Sequence, residues 1–106
     1  MKGNMQELMD FISENFVFDE SIYPELKNAN EEQKLRFAVR HQALHFGKTS
    51  GNIIAVSERV DHGKEMDMEV LKKNVSKAFI NTLRLASSIG MTGEDIVAAV
   101  EKKYSN

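Results

Sequence analysis

The chain contains no cysteine, no tryptophan and a single proline, Pro24. Without cysteine there is no disulfide, no zinc–thiolate centre and no thiol nucleophile, a usage that fits a reducing cytoplasm. With one proline, long helices are permitted almost everywhere else. No apolar run approaches the roughly 20 residues that span a bilayer. The opening Met1-Lys2-Gly3-Asn4-Met5 lacks the basic and apolar blocks of a secretory signal. Cytoplasmic residence with no membrane partner is therefore expected. No internal repeat, low-complexity tract or phosphate-binding glycine loop occurs.

Positive charge is also short: 14 Lys and Arg stand against 16 Asp and Glu. A net charge of −2 gives no broad attraction to nucleic acid. The basic pairs Lys72-Lys73 and Lys102-Lys103 lack the density of a nucleic-acid surface. What is present is an ordinary globular composition, 42% hydrophobic over 106 residues, enough for one small core. One domain, 1–106, is expected: an N-terminal helix and irregular connection over 1–30, and a helical core over 31–106.

The apolar spacing predicts four principal helices, an all-α fold arranged as an antiparallel helical bundle. Asn4 caps the first, with Glu7 as its reciprocal partner and Met5, Leu8, Met9, Ile12 and Phe16 at helical spacing. Pro24 and Asn28-Ala29-Asn30 predict an irregular segment, with a short helical turn after Ser21. Val17, Phe18, Ile22, Tyr23 and Leu26 should pack it down. A long second helix runs from Glu31 to about Val60, with Leu35, Ala38, Val39, Ala43, Leu44, Phe46, Ile53, Ile54 and Val56 recurring at steps of three and four. Gly47 and Gly51 each cost about 1 kcal/mol in a helix relative to alanine, which suggests close approach of another helix. Unbroken, this helix is roughly 45 Å long, wider than a globule of this size. It must bend or pack against a second copy, so a dimer or higher oligomer is expected.

Asp61-His62-Gly63-Lys64 turns the chain. Asp67 caps a third helix through Ile89, with Val70, Leu71, Val75, Ala78, Phe79, Leu83 and Ala86 on its apolar face. Gly90 stops it. Thr92 caps the last helix with Asp95 three residues on, and Ile96, Val97 and Val100 face inward. Met1, Met5, Met9, Met66, Met68 and Met91, with Phe11, Phe16 and Phe18, read as core filling, or as an adaptable partner surface.

Two polar stripes carry the candidate chemistry. On the second helix His41, His45, Lys48, Thr49 and Asn52 share one side. On the third, Asn74, Lys77, Asn81 and Arg84 do the same. The default for such a stripe is a solvated face. If the two stripes face each other they make a candidate anion groove, cationic through the lysines, Arg84 and the histidines, with amide and hydroxyl donors between. His41 and His45, four apart, could begin a metal site, but two ligands do not complete one. His62 with Glu58 or Asp61 would have to come from beyond that helix's reach or from another chain.

Leu83-Arg84-Leu85-Ala86, then Gly90, Met91-Thr92-Gly93-Glu94-Asp95 and a helix ending Glu101-Lys102-Lys103-Tyr104, resemble the end of a MazG-like domain. That family belongs to the all-α nucleoside triphosphate pyrophosphohydrolases, and the resemblance spans roughly Arg36 to Tyr104. It implies a dimer or tetramer and a magnesium-dependent hydrolase built on Glu-Glu-x-x-Glu on one helix and Glu-x-x-Asp on the next. Those motifs fall on Lys48-Thr49-Ser50-Gly51-Asn52 and Asn74-Val75-Ser76-Lys77. None of the five carboxylate positions is acidic: they read Lys48, Thr49, Asn52, Asn74 and Lys77. At about 4 Å and an effective dielectric of about 20, one lysine opposes a divalent ion by about 8 kcal/mol before screening.

The expectation is a non-catalytic, degenerate module with no cofactor, binding a partner protein or a phosphate-bearing small molecule. The alternative is a divergent pyrophosphohydrolase with an atypical site, for which magnesium would be needed.

Overall fold

The computed structural model describes residues 4–105, and the regular structure there is entirely helical. Met1, placed above among the methionines, lies outside the described residues. Helix α1 spans Met5–Asn15, α2 Glu31–Asp61, α3 Met68–Ser88 and α4 Gly93–Tyr104, with a 3₁₀ turn at Pro24–Leu26. The expected four helices and the short turn after Ser21 are all present.

Local chemistry sets the ends. Asn4 accepts from the Glu7 N–H at 3.0 Å, but only this half of the expected reciprocal cap forms. At Thr92 both halves form, as Asp95 N–H donates to Thr92 Oγ1 and Thr92 N–H to Asp95 Oδ2. Asn30 and Gln33 make a second complete capping box that opens α2. Helices α2 and α3 end in the same way. Gly63 and Gly90, at φ +82° and +83°, take the left-handed position. The following Lys64 and Met91 donate back to Arg59 and Ala86 carbonyls at 3.0 and 2.9 Å.

Two helices, α2 and α3, form an antiparallel hairpin. The main apolar core lies off to one side of it: Met9 and Ile12 of α1 close on Leu83 and Ala86 of α3, flanked by Met5, Leu8, Ile80, Met91 and Ile96. A close crossing locks this corner. The Gly93 N–H at the start of α4 donates to Gln6 Oε1 at 2.7 Å, and a Cβ on Gly93 would stand 2.5 Å from the Gln6 backbone nitrogen. A smaller aromatic cluster, Phe18, Tyr23, Phe37 and His41, fixes residues 16–26 against α2.

Burial differs from the periodic pattern in one instructive respect. Of the apolar residues expected to face inward, Ala38, Val56, Leu83 and Ala86 are buried, while Leu35, Val39, Leu44, Ile54, Val70, Val75 and Phe79 are exposed. Val17, Ile22, Val97 and Val100 are exposed as well, as are Phe11, Phe16, Met66 and Met68. Polar residues occupy the hairpin seam instead: Gln42, Thr49, Asn74 and Asn81 are all buried. The two-helix layer covers only one side of each helix, so the remaining apolar rows face outward. The radius of gyration, 16.7 Å, exceeds the roughly 13 Å of a compact chain this long. Gly47 and Gly51 lie on the outer side of α2 with nothing within 4 Å of a Cβ built on either. The close helix approach expected there does not occur within the chain.

Candidate functional site

The nine candidate residues divide into three groups. In the middle of the hairpin Asn52 Nδ2 donates to Asn74 Oδ1 at 3.0 Å, and Asn81 Nδ2 to Thr49 Oγ1 at 3.3 Å. Asn74 also donates to the Val70 carbonyl at 2.9 Å, so its amide is used at both ends. These four residues do meet across the two helices. They meet by bonding to one another, which closes the seam where a groove was expected.

Lys48 and Lys77 stand outside that seam, both exposed. Lys77 borders a cleft of about 320 Å³ toward the turn end of the hairpin, together with Asn52, Asn74, Arg59, Lys73 and Asp67. Three cations there face one carboxylate. Arg59 and Lys73 were missed in the sequence. Their signal was present: Arg59 continues the step of Asn52 and Val56 along α2, and Lys73 precedes Asn74 on α3.

His41, His45 and Arg84 form the third group, at the other end. The two imidazoles touch through Nε2 at 3.0 Å, and His41 stacks on Phe37 at 5.5 Å between ring centroids. Burial lowers the His41 pKa from its ordinary value, and the neighbouring His45, Arg84 and Arg40 charges push it the same way. The Arg84 guanidinium lies over the Phe16 ring at 4.9 Å and the Phe18 ring at 5.3 Å. Burial lowers its pKa too. Hydrogen bonding orients the almost fully buried Gln42 amide with Oε1 toward Arg84, accepting from Nε and Nη2 at 3.3 Å each.

A magnesium ion seated as in the resembled family needs several hard oxygen ligands from the positions at 48, 49, 52, 74 and 77. Here two are ammonium groups, and the Thr49 and Asn74 oxygens already accept hydrogen bonds from the facing helix. The residues do not fit the ion. Among the described residues no three His, Asp or Glu side chains gather as a metal site elsewhere. No described helix is long and apolar enough to cross a membrane.

Comparison with protein-family models, with curated proteins and with solved structures finds no match to this chain.

Proposed function

We propose that this chain is a non-catalytic, MazG-like helical module that works by assembly, with a second copy seated on the open face of the α2–α3 hairpin. One observation carries this reading: a continuous apolar face that the chain itself does not cover. At 100° per residue, Leu35, Val39, Phe46, Ile53 and Val60 form a row about 70° from the α2 side that meets α3. Leu71, Val75, Ala78 and Ile89 form a row about 70° from the α3 side that meets α2, in the same rotational sense. Since the helices are antiparallel, both rows fall on one side of the hairpin. Val39 and Val75 on it are 38% and 56% exposed.

A hairpin needs a second layer to bury such a face, and an identical hairpin supplies it as a four-helix bundle. The face measures about 32 Å, the length of α3, by about 20 Å across two helices, roughly 640 Å² in projection. A standard interface buries about 800 Å² per partner, so the match is close. Residues 36–104, and the meeting of positions 49 and 52 with 74 and 81, support the MazG-like arrangement. The loss of all five carboxylates supports a role without hydrolysis.

Light scattering on the eluting protein tests the assembly. The expected mass is twice the 12.0 kDa of the chain, falling to one chain in Phe46→Glu or Val75→Glu with helicity retained. A monomer at high micromolar concentration overturns the reading.

A phosphate-bearing ligand is a second reading, favoured by the cleft holding Arg59, Lys73 and Lys77. Thermal stabilisation by nucleotides without magnesium, lost in Lys77→Ala, supports it. Pyrophosphate released from nucleoside triphosphates with magnesium or manganese, and lost in Lys48→Ala or Lys77→Ala, would establish a divergent hydrolase instead.

A further inference from the structure

At the end of the hairpin away from its turn, four segments converge on one guanidinium. Ser13 of α1, the rings of Phe16 and Phe18, Gln42 of α2, and Arg84 and Ser87 of α3 line a cleft of about 230 Å³. Arg84 is half-buried and has no carboxylate partner among the described residues. Arg36 and Arg40, by contrast, pair with Glu32 and Glu25 at 2.7 and 2.8 Å. A guanidinium has five N–H donors. Gln42 takes one from Nε and one from Nη2, which leaves three. These donors are not sealed in, since no fully buried side-chain nitrogen lacks a partner among the described residues. Ser88 spends its hydroxyl proton on the Arg84 carbonyl at 2.9 Å, whereas Ser13 and Ser87 keep theirs.

We propose that this cleft binds a carboxylate carrying an apolar substituent, gripped by the free N–H groups of Arg84 and flanked by the Ser13 and Ser87 hydroxyls. Contact with the Phe16 and Phe18 rings and the hydrogen bonds to Gln42 hold the guanidinium in place, so the open donors are already oriented. A planar two-oxygen acceptor matches that fork. Charge selects the same class. One unpaired guanidinium balances one negative charge, and the residues lining the cleft hold no other cation for the second charge of a phosphate dianion. The adjacent His41–His45 contact at 3.0 Å requires one bare ring nitrogen, so this pair cannot supply two positive charges while it lasts. The Phe16 ring, 48% exposed at the rim, offers the apolar portion a surface.

The cleft lies on roughly the opposite side of α3 from the Val75 row, so it stands apart from the proposed assembly. Phe46→Glu is expected to leave ligand binding intact, which separates failure of one proposal from failure of the other.

The test titrates isotope-labelled full-length protein with 3-phenylpropionate, its amide and inorganic phosphate, following the backbone resonances of Ser13, Ser87 and Arg84. Saturable shifts with the acid, and none with the amide or phosphate, are expected. Arg84→Lys, which keeps the charge and loses the fork, should weaken binding by more than about tenfold. Ser87→Ala should weaken it severalfold and keeps the proposal testable if the arginine variant unfolds. A blocked phenylalanyl-aspartate dipeptide forms a second arm. Tighter binding of the dipeptide or of the free acid assigns the carboxylate to a protein chain or to a small molecule, and either supports the site. Equal binding of acid and amide, binding of phosphate alone, unchanged affinity in both variants, or no shift at all overturns it.

Discussion

Asn81 donates to Thr49 at 3.3 Å across the hairpin, joining two residues 32 apart in sequence, both buried. Together with the Asn52–Asn74 bond it makes the contact between α2 and α3 partly a polar one. Such a seam contributes register more than raw stability. A neutral hydrogen bond is worth about 1 kcal/mol net, but a buried group left without its partner costs about 1–3 kcal/mol.

Asn81→Ala should therefore destabilise the fold by about 1–3 kcal/mol. The pair Thr49→Val with Asn81→Leu should cost less than the sum of its single substitutions, with a coupling of at least about 0.5 kcal/mol. Urea denaturation of the four proteins at one fixed concentration gives the answer. Additive effects would mean that the bond contributes nothing.

Glycine substitutions should have opposite signs at two places. Gly93→Ala puts a methyl group 2.5 Å from the Gln6 backbone nitrogen, and backbone cannot give way as a flexible side chain can. A loss of about 1–3 kcal/mol is expected. Gly47→Ala and Gly51→Ala meet open space inside a helix and should each gain about 1 kcal/mol. Thermal melts of the three variants check both signs. A loss at Gly47 or Gly51, with dimer content reduced, would place a neighbouring chain there.

Stability should fall on acidification because of His41. Its folded pKa lies below the unfolded value of about 6.5, so the unfolded chain binds the proton more readily. The contribution is complete above about 6.5 and is lost as pH falls through the lowered folded value. His45, Arg84, Arg40 and Tyr23 are the titratable or charged neighbours that face it. Denaturation midpoints from pH 8 to 5 should drop in the native chain, and the drop should shrink in His41→Gln. An unchanged slope in that variant would assign the acid sensitivity to other groups.

Asn30→Ala removes the side-chain oxygen that accepts the Gln33 N–H, one of the two hydrogen bonds of the capping box that starts α2, and leaves the residue-30 backbone N–H to donate to Gln33 Oε1. A cost of about 1 kcal/mol is expected, with fraying confined to the first turn. Hydrogen exchange at residues 31–34 should report it. Protection lost along the whole helix would show that α2 is held from its start instead of by its packing.

The sequence alone determined the elements. Helix spacing, the caps at Asn4, Asp67 and Thr92, and the stops at Gly63 and Gly90 are local chemistry within a few residues, so four helices with these boundaries were legible from composition and order. It also determined that positions 48, 49, 52, 74 and 77 carry no carboxylate. Only the tertiary structure decided which side of each helix turns inward. Periodicity identifies an apolar face but not its partner. Here the chain pairs α2 with α3 through amides and leaves the Val39 and Val75 rows uncovered, because α1 packs on the far side of α3 and α4 packs on α1. Likewise the separation of Arg84 from Lys48 and Lys77 was invisible in sequence: all three lie on the two stripes expected to face each other, but Phe16 and Phe18 fold back over Arg84 at one end.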